Sequence, residues 1–183
     1  MVDSFSILPN YRYIITGGPG SGKTALVEAL QNLGYTGFPE IARDLINQGI
    51  TPPIWAEKPD SGRFFDFILK KRIIFHQQIK GTEIGFYDRG IPDSLAYIKF
   101  LKKKVPRILS EAISVYPYNP VVFVTPPWKE IYCNDSVRRE SFAEAGILYE
   151  LGIEAYQGLG YKIVELPKSS LESRVAIILA TLR

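Results

Sequence analysis

The run Gly17-Gly18-Pro19-Gly20-Ser21-Gly22-Lys23-Thr24 fits the pattern G-x-x-x-x-G-K-[ST]. Phosphate concentrates negative charge and calls for several convergent donors. A glycine-rich loop lets successive backbone N–H groups point at one centre without side-chain interference. A helix opening near Gly22 would add the positive end of its dipole, Lys23 a mobile cation for the outer phosphates, and the Thr24 hydroxyl a ligand for magnesium. The span Gly18, Pro19, Gly20, Ser21, Gly22, Lys23, Thr24 and Ala25 is therefore the expected cradle for the polyphosphate of ATP, with Mg2+.

Such a loop works with an acid that positions the metal, at the end of a neighbouring buried strand. Asp88 follows the apolar run Ile84-Gly-Phe-Tyr87, and Thr24 with Asp88 is the expected metal pair. Arg89, next in the chain, could hold a substrate phosphate or pin Asp88. Glu40, after an extended piece, and Arg43 three residues on share one helical face. There the carboxylate could take a proton from an acceptor hydroxyl while Arg43 binds an anion; a favourable first-turn Glu with a solvated Arg is the plain alternative. Arg138 and Arg139 fall in a polar stretch where phosphotransferases carry a closing segment, and one of them could neutralise charge on the group in transfer. Adjacent helix residues face different ways, so at most one points inward. Asp93 reads as a first-turn carboxylate, His76 as a packing or surface residue, and Cys133 as a bystander. Trp55 and Trp128 read as packing, with base stacking the alternative, and Lys102 to Lys104 as a solvated helix end.

The elements that must carry these residues alternate. Short β-branched or aromatic runs at Tyr11 to Thr16, Tyr35 to Pro39, Ile84 to Tyr87, Val121 to Thr125 and Tyr161 to Leu166 read as strands. Helical spacing marks Lys23 to Leu30, Ile41 to Asn47, Arg63 to Ile79, Ser94 to Lys102, Pro106 to Val115, Arg139 to Leu159 and Leu171 to Leu182. In the third of these, Phe64, Phe67, Ile68, Phe75 and Ile79, with the Lys71 stem, trace the expected buried face. Gly49 to Gly62, rich in proline, is irregular. Alternation of this kind predicts an α/β fold with a parallel sheet, and the site residues above would collect at its carboxyl edge.

The whole chain, 183 residues, is the length of a single domain with a real core, and its 46% hydrophobic and 22% charged residues are ordinary for a globular protein. A net charge of +3 is too small to mark a nucleic-acid or membrane surface. One cysteine and one histidine exclude an intrachain disulfide and a Cys- or His-based metal cluster. With no signal-peptide pattern and no apolar run of spanning length, the expectation is a cytoplasmic protein without membrane or nucleic-acid partners, acting on a small molecule.

Several further stretches accompany the loop: Pro39-Glu40-Ile-Ala-Arg43, Tyr87-Asp88-Arg89-Gly90-Ile-Pro-Asp93-Ser-Leu-Ala-Tyr97, Pro126-Pro127-Trp128, Arg138-Arg139-Glu140-Ser-Phe142 and Glu154-Ala-Tyr156-Gln-Gly-Leu-Gly160-Tyr161. Together they resemble the kinase-like predicted ATPases described as "AAA domain" proteins, a group similar to the nicotinamide riboside kinase domain and, more loosely, to nucleoside and nucleotide kinases. The resemblance covers nearly the whole chain. It implies a P-loop NTPase fold, a parallel five-stranded sheet in order 2-3-1-4-5. It also implies that Glu40, Asp88 with Arg89, and Arg138 or Arg139 occupy the places where such kinases contact acceptor and phosphate. A hexameric motor is a poor fit, because Arg89 rather than a second acid follows Asp88. Two functions stand at this point: a small-molecule kinase using ATP and Mg2+, or a nucleotide-dependent switch that hydrolyses slowly and signals to a partner. Asn-Lys-x-Asp and Asp-x-x-Gly, the guanine and switch signatures of GTPases, do not occur.

Overall fold

A computed structural model describes residues 10–49, 61–132 and 140–182. Trp55, Cys133, Arg138, Arg139 and most of the irregular stretch expected after Gly49 lie outside the described residues.

The expected alternation is present. In chain order the elements are β1 (Arg12–Gly17), α1 (Lys23–Asn32), β2 (Thr36–Phe38), α2 (Ile41–Asn47), α3 (Ser61–Gln78), β3 (Gly85–Asp88), α4 (Asp93–Phe100), α5 (Arg107–Val115), β4 (Val121–Thr125), α6 (Phe142–Gly158), β5 (Lys162–Glu165) and α7 (Leu171–Thr181). The sheet has five strands in the order β2-β3-β1-β4-β5, and every neighbouring pair is parallel. This is the P-loop fold with the implied strand order.

Period-two alternation sends successive strand residues to opposite faces of the sheet. Tyr13 and Ile15 of β1, Phe86 of β3 and Phe123 of β4 pack with Leu26, Val27 and Leu30 of α1 and Val175 and Ile178 of α7. Ile14, Tyr87, Val122 and Val124 face the other way, onto Leu69 of α3, Ile98 of α4, Leu109 of α5 and Tyr149 and Tyr156 of α6. Both faces are covered, as a parallel sheet requires.

Helix α3 departs from its expected face. Phe67 is 44% exposed, whereas Leu69, Arg72 and His76 are buried. The helix divides its apolar surface between two partners: Phe64 and Ile68 pack with Ile41 and Leu45 of α2, and Leu69 packs into the sheet cluster. A single stripe cannot serve both, so Phe67 and Lys71 are left outside. His76 is a packing residue, edge-on to Tyr116 and Tyr118 with Nε2 2.8 Å from the Pro117 carbonyl oxygen. Helix α6 starts at Phe142, later than the pattern implied, because Ser141 and Glu144 form a reciprocal capping box that fixes its first turn.

No helix among the described residues is long and apolar enough to cross a membrane.

Candidate phosphate and acceptor site

The phosphate loop joins β1 to α1. Gly17, Gly20 and Gly22 have φ of 144°, 73° and 86°, values that favour glycine. At Gly17 the constraint is also steric, since a β-carbon there would lie 2.3 Å from the Thr125 carbonyl oxygen on the adjacent strand. Ser21 ties the loop down: its Oγ donates to the Gly18 carbonyl at 2.7 Å and lies 2.6 Å from Thr125 Oγ1. Gly22 caps α1 without any side-chain hydrogen bond, and no acid stands in the first turn, so the helix presents an unneutralised positive end. Lys23 is buried and its Nζ donates to the Gly18 carbonyl at 2.8 Å, folded along the loop it serves.

Beside the loop opens a cleft of about 390 Å³ lined by Gly20, Ser21, Gly22, Lys23, Thr24, Arg43 and Ile131. Arg43 thus faces the phosphate cradle from α2. Tyr132 packs over Gly20, where a β-carbon would meet its ring at 2.7 Å, and its hydroxyl donates to the Glu140 carbonyl oxygen.

Parallel register sets Ile15 opposite Asp88, bringing the acid to the loop. Thr24 Oγ1 donates to Asp88 Oδ2 at 2.7 Å, while Oδ1 is buried without a hydrogen-bond partner. Burial first, and the nearby Glu40 second, push the Asp88 carboxyl up to about 6. A buried carboxylate with one idle oxygen, next to a threonine hydroxyl at a phosphate loop, fits a hard divalent cation. Magnesium takes one or two protein oxygens and completes its shell with phosphates and water. Among the described residues there is no group of three or more His, Cys, Asp or Glu that could hold a metal ion.

Behind Asp88 the chain turns sharply. Arg89 has a φ of 71°, strained for a residue with a side chain. Its guanidinium is buried between two acids, Nε 3.0 Å from Glu40 Oε1 and Nη1 3.3 Å from Asp93 Oδ1, and lies over the Tyr97 ring. Nη2 has no partner. The structure therefore pairs Arg89 with Glu40 and Asp93; burial alone would lower its pKa, but Tyr97 first and then Glu40, Asp93 and Asp88 hold it above the ordinary arginine value.

Asp93 is the residue whose importance the sequence understates. Its carboxylate accepts from Thr16 Oγ1 on β1, from Tyr156 Oη on α6 at 2.5 Å, from the Gly90 backbone N–H at 2.7 Å and from Arg89. A first-turn carboxylate in α4 looks like a helix-dipole partner until the crossover of β1 and α6 supplies the other donors. Trp128, on β4's exit, is covered by the guanidinium of Arg174 at 5.5 Å from the ring centroid. No local signal marked Arg174.

A family profile described as "AAA domain" matches residues 12–174. No curated protein matches the chain. Among solved structures, the fold is similar to thymidylate kinase from Candida albicans, at 15% identity over 95% of this chain and 91% of that one, with a TM-score of 0.63. It is also similar to deoxyadenosine kinase from M. mycoides, at 15% identity over 93% of this chain and 97% of that one, TM-score 0.64. A NadR protein in complex with NAD and AMP-PNP matches at 18% identity and a TM-score of 0.66, over 94% of this chain but 48% of that one. Identities of this size speak for the fold.

Proposed function

The chain belongs to the AAA domain family, and we propose that within it this protein is a small-molecule kinase. It would transfer the γ-phosphoryl group of ATP, with Mg2+, to a hydroxyl or phosphate of a nucleoside-like metabolite. The observation that carries the reading is the cluster at the carboxyl edge of β1 and β3. A phosphate loop with its metal-type acid stands beside a second, separate set, Glu40 and Arg89, whose Nη2 is buried and idle. A protein that only bound or hydrolysed nucleotide would have no use for that second set, whereas a kinase needs an acceptor station next to the phosphates. The kinases with similar folds support the same choice.

In this reading the loop N–H groups and Lys23 hold the β- and γ-phosphates, with Arg43 facing them across the cleft. Bound through Thr24 and Asp88, Mg2+ would supply positive charge to the phosphate oxygens. Arg89 offers Nη2 to an oxygen of the acceptor, its plane fixed by Glu40 and Asp93. The acceptor oxygen forms the new bond to the γ-phosphorus as the bond to the ADP oxygen breaks; a hydroxyl acceptor gives its proton to Glu40, and a phosphate oxygen attacks already deprotonated.

The test is a screen of nucleosides, nucleotides and other phosphorylatable metabolites with MgATP, following ADP formation and the phosphorylated product. One acceptor class that raises ADP production well above background and appears as its phosphate ester supports the kinase. Nucleotide hydrolysis with no acceptor effect anywhere in the panel would favour the switch instead.

A further inference from the structure

A buried cation reaches the phosphate loop from the far end of the chain. Arg174, in the first turns of α7, is 6% exposed. Its Nε is buried without a hydrogen-bond partner, and among the described residues no carboxylate forms an ion pair with it. The contact that orients it is the Trp128 ring, over which the guanidinium lies. Burial pulls its pKa below the ordinary arginine value. Its tip meets the loop: a β-carbon on Gly22 would stand 3.1 Å from Nη1, 3.6 Å from Nη2 and 3.5 Å from Ile131 Cδ1. Ile131 is itself a wall of the cleft that Gly20 to Thr24 line.

A largely buried guanidinium whose Nε is out of water without a partner or counter-charge is unfavourable, and an indole face offsets only part of the loss. The burial sets Arg174 apart from a solvated surface arginine, and among the described residues no acid pairs with it. A polyanionic ligand on the adjacent phosphate loop would supply the missing charge.

We infer that Arg174 is a ligand of the nucleotide's polyphosphate chain, gripping it from the α7 side of the loop while Lys23 grips it from α1. Trp128 is the plate that keeps the fork flat and aimed. Gly22 then has two reasons to be glycine: its φ of 86°, and the room its bare α-carbon leaves for the guanidinium. Because the fork presents paired N–H groups, a lysine could replace the charge but not the two-pronged contact. The inference rests on the nucleotide-binding part of the function proposed above.

Isothermal titration of the full chain with MgATP and, separately, with inorganic tripolyphosphate decides it. Arg174→Gln should weaken both probes about tenfold or more, the scale of one charge-assisted contact. Arg174→Lys should recover part of the loss, and raised salt should narrow the gap between wild type and Arg174→Gln. Weaker ATP binding with unchanged tripolyphosphate binding would place Arg174 against the base or ribose and overturn the inference. So would unchanged affinity for both probes with a lowered Tm, the mark of a structural residue. Should Arg174→Gln fail to fold, Arg174→Lys decides alone: affinity equal to wild type for both probes would refute a forked contact. Wild-type protein that binds neither probe would sink the kinase reading and this inference together, an outcome distinct from wild-type binding with indifferent variants.

Discussion

Thr24 Oγ1 donates to Asp88 Oδ2 at 2.7 Å across 64 residues of sequence. This bond joins the last residue of the phosphate-loop motif to the last residue of β3, and it leaves Asp88 Oδ1 as the buried, unpartnered oxygen of the pair.

Asp88 makes stability depend on pH. Its folded-state carboxyl titrates at about 6, above the ordinary value of 3.8. A raised pKa contributes stability that is complete below the unfolded value and lost as pH rises through the folded one, so the ligand-free wild type should weaken between about pH 4 and pH 6. Asp88→Asn should lack this slope and melt higher than wild type above that window. Magnesium with ATP at pH 7.5 should stabilise wild type far more than Asp88→Asn, and turnover of the variant should fall with its magnesium response. Thermal melts across pH, with and without MgATP, check both; a wild-type curve flat between pH 4 and pH 6 would count against a carboxylate buried in this state.

Lys23→Ala should leave the fold intact and reduce affinity for ATP by about ten- to a hundredfold, the effect of removing a charged donor from a phosphate. Adenosine binding should change little. Titration calorimetry with circular dichroism on the same samples tests it, and an equal loss for ATP and adenosine would contradict the role.

Removing the Asp93 carboxylate should be among the costliest changes in the chain. Asp93→Ala strands a buried Arg89 charge and leaves the Thr16, Tyr156 and Gly90 donors without their acceptor, a loss of about 3–5 kcal/mol. Tyr156→Phe should cost about 1 kcal/mol. Because both changes act on one network, the double variant should fall short of the sum. Urea unfolding of the four proteins measures the coupling; strict additivity would argue against a shared network.

Glycine to alanine changes should separate the loop from the helices. Gly17→Ala drives a β-carbon to 2.3 Å from the Thr125 carbonyl and should destabilise the fold and abolish ATP binding. Gly146→Ala, within α6 and with no atom within 4 Å of the new carbon, should stabilise by about 0.5–1 kcal/mol. Chemical denaturation of both variants, with ATP titration, would reveal a reversed order at once.

The phosphate loop, the alternation of strands and helices, and the placement of Glu40, Asp88 and Arg89 at or just after strand ends are legible in the amino-acid order. Each is encoded by neighbours: a glycine cluster after a β-branched run, or an acid directly behind an apolar one. Boundaries set by local chemistry, such as the Ser141 to Glu144 box, are encoded locally too, although helical spacing alone places the start of α6 too early.

What only the folded chain decided is which of these residues meet. Parallel pairing of β1 with β3 set Asp88 against Thr24. The packing of α6 over the sheet carried the Tyr156 hydroxyl to Asp93 and turned a first-turn acid into the acceptor of four donors. The return of α7 beside α1 brought Arg174 to Gly22. Local sequence fixes backbone conformation because the forces that choose φ and ψ act over a few residues. The partners of a buried charge are chosen by strand order and helix packing, which join residues far apart in the chain, and burial makes those partnerships strong because water no longer competes for the charge.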